Sequence, residues 1–329
     1  MRAPDFWRRQ SAGSTALAPV GAAWSAIVAL RRVTARPWKA PVPVICIGNL
    51  VAGGAGKTPL AIAVTGKLRN RGRTPHILSR GYGGWTRGPL RVEANRHDAT
   101  EVGDEPLLLA RHAPTWVARD RAQGARAACN AGADVIVMDD GMQNFTLAKD
   151  LTIVAVDGGF GFGNRLVMPA GPLREPLASG LARTGAAVLI GVDKCGAEAA
   201  LAGRVPVLPT RLVPAPGTEA LADKTVLAFA GIGRPQKFFD TLASMRCNLA
   251  ETKSFADHHF YDADEIMRIC DRARELGAIP VTTEKDAVRL PTEARTMVET
   301  LAITLEWDGE SSLDGLLDTV IGSAVPDHG

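Results

Sequence analysis

An apolar run followed by a glycine-rich loop constrains this chain more than any other feature of its sequence. Residues 44–50 read VICIGNL, typical of a buried strand, and the loop after them ends in Gly56-Lys57-Thr58. Glycines let backbone N–H groups approach phosphate oxygens, and the start of the following helix is electropositive. In such a loop the lysine reaches the β- and γ-phosphates and the threonine ligates Mg²⁺. This order of strand, loop and helix predicts a nucleotide-phosphate site.

The loop is a variant of the common phosphate-binding pattern. The first glycine of that pattern would fall at Val51, whereas the loop contains Gly53, Gly54 and Gly56 with Ala55 between the last two. A plain strand-to-helix turn is the alternative, but it explains neither the lysine nor the threonine. We expect the loop residues to bind phosphates.

The composition describes a globular protein and argues against several classes. The chain has 329 residues, enough for two ordinary domains. Hydrophobic residues make up 46% of the chain and charged residues 22%. A net charge of +3 and an aromatic content of 5% do not favour a nucleic-acid binder. The cysteines include no C-x-x-C pair, which argues against a disulfide framework or a zinc ribbon. We expect neither a nucleic-acid partner nor an obligatory protein partner.

An uncharged apolar segment, residues 15–30, lies near the N-terminus. It is flanked by Arg8, Arg9, Arg31, Arg32 and Arg36. Its length, with interruptions at Pro19 and Gly21, is short for a spanning helix. An apolar body containing Trp24 between arginines favours a helix at the membrane surface, held partly by anionic lipid. We expect residues 1–40 to form this membrane-associated segment; a helix packed on the domain behind it is the alternative.

Short apolar runs alternate with helical segments over residues 41–213. The predicted strands are 42–47, 75–78, 115–118, 135–138, 151–156 and 187–190, with helices such as 60–71 and 121–131 between them. This alternation indicates an α/β domain with a largely parallel sheet covered on both faces. Ligands of such sheets bind beyond the carboxyl ends of the strands.

A proline-rich stretch, residues 205–216, is predicted to be an extended linker. Beyond it, residues 214–329 are predicted to form a smaller α/β domain that closes over the site. Its predicted elements are strands at 225–230, 249–254 and 279–282, a helix around 238–239 and a helix at 263–276.

Two adjacent carboxylates, Asp139 and Asp140, follow the apolar run 135–138 and precede Gly141. In a phosphate-loop protein an aspartate at this place helps to hold Mg²⁺. Turn formation ahead of the glycine is the alternative. Because Asp139 extends the strand and Asp140 begins the loop, we expect them to point in different directions and to have different roles.

Asp104, in the sequence Gly103-Asp104-Glu105-Pro106, has two interpretations. It is a good helix N-cap, with the proline near the first turn. A carboxylate on a loop that faces a γ-phosphate can also accept the proton of an attacking hydroxyl. The residue types leave both interpretations open.

Three further segments suit contacts to phosphate or substrate. Arg174 can neutralise phosphoryl charge, and Glu175 can complete a metal shell or bind sugar hydroxyls, although a surface ion pair is the alternative. The glycine-rich run 79–85 with Tyr82 suits a substrate loop or a flexible turn. The polar run 281–286 fits a site wall or an ordinary turn.

The adjacent histidines His258 and His259 lack the i, i+4 spacing of a helical zinc site. One of them could pair with a carboxylate across the domain cleft and tune it as a base. A purely structural histidine is the alternative.

Eight motifs in a fixed order cover almost the whole chain. They read GGAGKTP, RGYGG, GDEP, DDGMQN, GPLRE, AGIGRPQKFF, ADHHFYD and TTEKD. With the apolar N-terminal segment, they closely resemble the tetraacyldisaccharide 4'-kinase family of lipid A biosynthesis. The resemblance implies a kinase on the cytoplasmic face of a bacterial inner membrane, bound peripherally or by a single helix. It would use ATP and Mg²⁺ to phosphorylate the 4'-hydroxyl of a tetraacylated glucosamine disaccharide 1-phosphate, giving lipid IVA.

The resemblance also implies roles for individual residues. Asp104 resembles a general base, His258 its partner in an Asp–His dyad, and Lys57 a catalytic lysine. ATP contacts are implied for Gly53, Gly54, Ala55, Gly56, Lys57, Thr58, Asp139 and Arg174, and Mg²⁺ contacts for Thr58, Asp139 and Glu175. Substrate contacts are implied for Tyr82, Glu105, Asp140, Gln143, Asn144 and Glu175. Asn144 departs from the family, which commonly has histidine there; asparagine forms hydrogen bonds but does not titrate near neutrality.

Two other functions are compatible with the phosphate loop. A nucleotide-switch or transport ATPase would hydrolyse ATP without an acceptor, but Ala52 stands where its signature lysine is expected. A soluble kinase of a small sugar would keep full activity and solubility without residues 1–32.

Overall fold

The computed structural model describes residues 4–309 and 311–322, which form two β-sheets with helices around them. The strands are β1 Val44–Gly48, β2 Pro75–Ser79, β3 Leu90–Arg91, β4 Thr115–Val117, β5 Val135–Asp139, β6 Leu151–Asp157, β7 Ala186–Ile190, β8 Val207–Pro214, β9 Thr225–Ala230, β10 Asn248–Ser254, β11 Ile279–Thr283, β12 Glu299–Leu301 and β13 Ile303–Trp307. The helices are α1 Ala12–Thr34, α2 Lys57–Asn70, α3 Ala99–Val102, α4 Asp104–Leu109, α5 Arg121–Asn130, α6 Leu177–Leu181, α7 Ala197–Leu201, α8 Pro235–Ser244, α9 Ala263–Glu275, α10 Glu284–Ala287 and α11 Ser311–Gly322. Residues 1–3, 310 and 323–329, which fall in the predicted segments 1–40 and 214–329, lie outside the described residues.

Among the described residues, the larger sheet has nine strands in the order β13-β8-β7-β6-β1-β5-β2-β4-β3. β1 lies between β5 and β6 and is parallel to both, while the edge strands β3 and β13 are antiparallel to their neighbours. Every residue of β1 is buried, as expected for a strand covered on both faces. The predicted, largely parallel α/β sheet is therefore confirmed.

The predicted linker is a strand. β8 pairs in parallel with β7 and antiparallel with β13, so it lies within the larger sheet. Its prolines suggested a loop because proline lacks the N–H group that a strand ladder uses. Pro209 still uses its carbonyl oxygen, which accepts the N–H of Asp308 at 3.1 Å. The interpretation of residues 205–216 as a linker is wrong.

The smaller sheet is inserted between two strands of the larger one. Its strands, all parallel, follow the order β10-β9-β11-β12. The chain then returns to the larger sheet as β13, and α11 contacts α2 through Asp314, which lies 3.1 Å from Lys67 and 2.5 Å from Arg71. β13 and α11 therefore lie with the larger sheet, whereas all of 214–329 was expected in the smaller unit. The division of the chain into separate domains stays a prediction.

Helix α1 runs through Pro19 without interruption and is longer than the sequence suggested. Its 23 residues make it the one helix in the described ranges that is long and apolar enough to cross a membrane. One face contacts the segment around α6, where Trp24 donates to the Arg174 carbonyl at 3.2 Å and Arg32 to Ser179 Oγ at 2.8 Å. Its large aliphatic side chains left exposed are Val20, Ile27, Leu30 and Val33. The helix thus packs on the protein and also presents an apolar face outward.

Candidate active site

The glycine-rich loop joins β1 to α2 and ends at Gly56, the N-cap residue of α2. Gly56 has a φ of 85°, and a Cβ atom there would lie 2.5 Å from Ile190 Cδ1. Glycine is the residue that meets both requirements without strain. Because the first N–H groups of a helix have no intrahelical partner, those of Lys57 and Thr58 can bind phosphate oxygens.

Asp139, the last residue of β5, is buried and incompletely hydrogen-bonded. Its Oδ2 atom accepts a hydrogen bond of 3.4 Å from Ser79 Oγ, and its Oδ1 atom has no partner among the described residues. Burial, followed by the negative charges of Glu105 and Asp140, raises the pKa of Asp139 to about 7. A buried carboxylate oxygen without a donor suits a cation. The arrangement therefore fits Mg²⁺ held by Asp139 and by Thr58 of the loop.

The residues that the structure describes include no group of three or more His, Cys, Asp or Glu side chains that could hold a metal ion. Magnesium in phosphoryl-transfer sites needs few protein ligands because phosphate oxygens and water complete its shell. Glu175, the third implied ligand, is ion-paired with Arg183 and accepts a hydrogen bond of 3.1 Å from Gln143. Its carboxylate therefore already has protein partners, and its role as a metal ligand stays a prediction.

Asp140 has different partners from its neighbour Asp139. Its φ of 46° lies in the left-handed region, so the chain turns as the strand ends. Its Oδ1 atom lies 2.7 Å from Arg174 Nη1, and its Oδ2 atom lies 3.7 Å from Lys57 Nζ. Arg174 also donates to Gln143 Oε1 at 3.3 Å. Asp140 thus holds two cations beside the phosphate loop, so the two aspartates point to different partners as expected, while their different roles stay a prediction.

Asp104 and His258 form a hydrogen-bonded pair where the two sheets meet. Asp104 is the first residue of α4 and is 4% exposed, while His258 lies in the loop between β10 and α9. His258 Nδ1 lies 2.9 Å from Asp104 Oδ2. Gly103, rather than Asp104, is the N-cap of α4. The N-cap interpretation of Asp104 is therefore wrong, although its Oδ1 atom accepts the N–H of the adjacent Glu105, in the first turn of α4, at 3.0 Å.

The surroundings favour the charged forms of both partners. Burial alone would raise the pKa of Asp104, but the hydrogen bond to His258 and the charges of His258, Lys285 and Arg289 outweigh it, so the pKa lies below its usual range. The same hydrogen bond raises the pKa of His258. Asp104 is therefore a carboxylate at neutral pH, which is the state that a general base requires.

Glu105 connects the phosphate loop to the smaller sheet. It accepts a hydrogen bond of 3.2 Å from Thr58 Oγ1 and is ion-paired with Lys285 of α10. Burial alone would raise the pKa of Glu105, but the charge and hydrogen bond of Lys285 lower it. Of the two interpretations of the run 281–286, its position at the end of β11 supports the site wall.

Tyr82 and Asn144 differ in their relation to the site. The Tyr82 ring is exposed, and its centroid lies 6.0 Å from that of the His258 ring. Asn144 Oδ1 instead accepts the N–H and the hydroxyl of Thr146, each at 3.1 Å, which closes a local turn. Substrate contacts by Tyr82 and Asn144 stay predictions, and the geometry supports Tyr82 more directly.

Comparisons with known proteins identify the family. A family model described as tetraacyldisaccharide-1-P 4'-kinase matches residues 13–322. The chain belongs to this family. The tetraacyldisaccharide 4'-kinase of Rhodospirillum centenum is 52% identical over 100% of this chain and 99% of its own, and that of Paramagnetospirillum magneticum is 50% identical over 97% and 99%. The crystal structure of LpxK from Aquifex aeolicus in complex with ATP is 27% identical, with a TM-score of 0.77, and covers 94% of this chain and 99% of that one.

In this member of the kinase family, the sequence analysis assigned no individual role to Asn49 and Arg289, which are buried beside the site, or to Lys285, which is half-buried. Asn49 is fully buried and donates to the Gly53 carbonyl at 3.1 Å, so it braces the phosphate loop. Lys285 and Arg289 reach the acidic residues of α4 from the smaller sheet. An isolated polar residue in an apolar run was the available signal for Asn49, and the polar run 281–286 was the signal for Lys285.

Proposed function

We propose that this protein transfers the γ-phosphate of ATP to the 4'-hydroxyl of a tetraacylated glucosamine disaccharide 1-phosphate, giving lipid IVA and ADP. The observation that carries the proposal is the Asp104–His258 pair, placed next to a phosphate loop through the Glu105–Thr58 hydrogen bond. A phosphate loop alone suits many reactions, whereas a base beside it suits transfer to a hydroxyl. Membership of the 4'-kinase family supports this acceptor.

Asp104 accepts the proton of the 4'-hydroxyl in this account. As that O–H bond breaks, the oxygen forms a bond to the γ-phosphorus, and the bond from phosphorus to the leaving oxygen of ADP breaks. The lowered pKa of Asp104 keeps it ionised, and the His258 hydrogen bond fixes the orientation of one carboxylate oxygen. The proton acceptor is thus charged and oriented before the substrate arrives, which limits reorganisation during transfer.

Residues around Asp140 neutralise the negative charge of the phosphate groups. Lys57 and Arg174 both pair with Asp140, which holds two cations near the phosphate loop. Bound Mg²⁺ would be held by Thr58 and Asp139 and would supply further neutralisation of the phosphate oxygens. The Asp139 Oδ1 atom, buried and without a donor in the described part of the chain, supports this placement.

The two sheets also meet on a second side of the site. Asp157, at the end of β6, is ion-paired with Arg234 and lies 2.8 Å from Lys237 Nζ, and both cations belong to the segment that begins α8. The smaller sheet thus contacts the larger one at two places. One is formed by His258 and Lys285 with α4, and the other by Arg234 and Lys237 with Asp157. We expect closure of the smaller sheet over ATP to exclude water and to limit wasteful hydrolysis.

Helix α1 would bring the site to the lipid substrate. Its exposed apolar side chains, with arginines at both ends, suit a membrane surface containing anionic lipid. A tetraacylated acceptor stays in the bilayer, so an enzyme that uses ATP would meet it at the cytoplasmic face of the inner membrane. The helix would anchor the protein peripherally or as a single span, and no protein partner is required.

The test follows labelled γ-phosphate from ATP/Mg²⁺ to tetraacyldisaccharide 1-phosphate in mixed detergent micelles, with a control that lacks the lipid. We expect label on the lipid and little label released to water. Release to water at the same rate with and without lipid would contradict the proposal and favour an ATPase.

A further inference from the structure

A buried arginine lies behind the Asp104–His258 pair, and beyond its charge it has no part in the function proposed above. Arg289 follows α10, and its side chain is 1% exposed. Its Nε atom lies 3.5 Å from Asp104 Oδ2 and donates to the Lys285 carbonyl at 3.0 Å. Arginine is rarely buried unless its charge and N–H groups have partners. Its partners therefore indicate its role.

Arg289 binds the loop that carries His258. Its Nη1 atom donates to the carbonyls of Gly231 and His259, each at 3.0 Å. The Gly231 carbonyl also accepts the backbone N–H of His258 at 3.0 Å. The Arg289 guanidinium therefore lies beside Asp104, the base. It also shares the Gly231 carbonyl with the backbone N–H of His258, the residue that orients the base.

A buried carboxylate holds Arg289 in place. Asp286 is fully buried, and its Oδ1 atom accepts the Gly231 N–H at 2.9 Å and the Tyr261 hydroxyl at 2.8 Å. Arg289 Nη2 lies 3.3 Å from the same oxygen. These contacts join the turn after β9, the His258 loop and α10 into one hydrogen-bonded unit.

The His258 loop needs such support because its backbone is strained. His258 has a φ of 60°, in the left-handed region that non-glycine residues seldom adopt. Strained backbone persists at functional sites when the surrounding contacts determine it. Arg289 supplies two of those contacts through the carbonyls of Gly231 and His259.

We propose that Arg289 is a positioning residue for phosphoryl transfer, which holds the His258 loop and the Asp104 carboxylate in their working geometry without touching the substrate. The inference rests on the kinase activity proposed above. Lysine cannot replace it fully, because a planar guanidinium directs several N–H groups to fixed places and an ammonium does not.

Arg295 provides a matched control for variants of Arg289. It lies six residues further along the chain and also donates to two backbone carbonyls, those of Leu290 at 3.1 Å and Val288 at 3.2 Å. Its hydrogen bonds remain within its own segment and do not include Asp104 or the His258 loop. Arg295→Gln therefore removes side-chain hydrogen bonds of the same kind and leaves the dyad contacts intact.

The experiment compares Arg289→Gln, Arg289→Lys and Arg295→Gln with wild type in the lipid transfer assay over a range of pH. Arg289→Gln is expected to lower kcat about 30-fold, less than the 10²–10⁴-fold typical of losing a general base itself, with KM for ATP within about twofold. The acid limb of its pH–kcat profile, where kcat falls as the pH is lowered, is expected to move to higher pH because a cation beside Asp104 is lost. The other charged groups that face Asp104, which are His258, Lys285 and Glu105, are unchanged in these variants.

Arg289→Lys separates the charge from the geometry. It keeps a cation near Asp104, so its acid limb should stay near that of wild type, while kcat falls about tenfold because the fixed fork of donors is lost. Arg295→Gln should match wild type in kcat and in the acid limb.

Three outcomes would overturn the inference about Arg289. The first is wild-type kcat and an unshifted acid limb in Arg289→Gln. The second is an equal loss of kcat in Arg289→Gln and Arg295→Gln, accompanied by a lower Tm in both and by an unshifted acid limb. That result would indicate a structural role. The third, decisive if Arg289→Gln fails to fold, is wild-type kcat in Arg289→Lys. Failure of wild type itself to phosphorylate the lipid would instead contradict the proposed function.

Discussion

The carboxylate of Asp104 and the imidazole of His258 meet at 2.9 Å although 154 residues separate them in the chain. Asp104 begins α4, beside the phosphate loop, and His258 follows a strand of the smaller sheet. The pair therefore exists in this form when the two sheets are in contact, which links the state of the base to the arrangement of the sheets.

The Asp104–His258 pair predicts a pH-dependent contribution to stability. The pKa of Asp104 is lowered, so its contribution is present above the unfolded value of 3.8 and is lost as the pH falls through the folded value. The pKa of His258 is raised, so its contribution is complete below the unfolded value of 6.5 and is lost as the pH rises through the folded value. The free energy of unfolding of wild type should therefore exceed that of His258→Gln most between about pH 4 and about pH 6.5.

Urea unfolding at about pH 5.5 and about pH 9 measures this difference, which should shrink at the higher pH. His97→Gln is a suitable control because the His97 Nδ1 atom accepts a local hydrogen bond from the Glu93 N–H at 3.0 Å. A difference between wild type and His258→Gln that is the same at both pH values would contradict the account.

Two glycines of the same segment predict opposite effects of alanine. At Gly56 the φ of 85° strains any residue with a Cβ atom, and the terminal methyl of Ile190 would have to shift, so Gly56→Ala should lower the free energy of unfolding by about 1–3 kcal/mol and weaken ATP binding at least about tenfold. At Gly66, inside α2, a Cβ atom meets nothing within 4 Å, so Gly66→Ala should stabilise by about 0.5–1 kcal/mol. Chemical denaturation and ATP titration measure both, and wild-type ATP affinity in Gly56→Ala would contradict the proposed phosphate contact.

Asp139 predicts a specific defect in the use of magnesium. Asp139→Asn keeps the shape of the side chain but removes the charge that would hold Mg²⁺, so the Mg²⁺ concentration for half-maximal transfer should rise at least about tenfold. Asp134→Asn, just before the same strand, is the control, since Asp134 Oδ1 accepts the Thr74 N–H at 2.7 Å. Titration of activity and of ATP binding with Mg²⁺ gives the result. An unchanged requirement in Asp139→Asn would remove Asp139 from the metal site.

The exposed face of α1 predicts membrane binding that depends on apolar contact. The double variant Ile27→Glu/Leu30→Glu should bind vesicles containing phosphatidylglycerol at least about tenfold more weakly, because two apolar side chains no longer enter the interface. Gln10→Glu/Thr34→Glu adds the same charge at polar exposed positions and should bind more tightly than the apolar-face variant. Vesicle flotation measures both. Equal binding by the two double variants would show that charge alone decides the interaction.

Local sequence patterns predicted much of the fold of the larger sheet. The strand cores of β1, β2, β5, β6 and β7 were predictable because continuous apolar runs signal strands buried on both faces. The phosphate loop was predictable because its glycines precede Lys57 and Thr58 directly in the chain. The pairing of β8 with β13 was not, because Pro209 suggests a loop and its partner strand lies about ninety residues further along the chain.

Local sequence patterns likewise predicted the place of some site residues and not of others. Asp139 ends β5, which pairs with β1, and Asp140 follows it, so their proximity to the loop could be expected. Asp104 follows the short helix α3 rather than a strand, so the same argument does not place it. Arg289 enters through the smaller sheet, and no local pattern distinguishes it from a surface cation, whereas Lys285 lies in the polar run 281–286. Asn144 was expected to contact substrate, but its contact with Thr146 depends on the conformation of a turn that the residue type alone does not determine.

The most direct test of the account is phosphoryl transfer by Asp104→Asn, measured from labelled ATP to the tetraacyldisaccharide 1-phosphate beside wild type. Asparagine keeps the size of the side chain but cannot accept the hydroxyl proton. The account predicts that transfer falls about 10²–10⁴-fold while the Kd for ATP changes less than about threefold. Transfer at the wild-type rate by Asp104→Asn would contradict the assignment of Asp104 as the base.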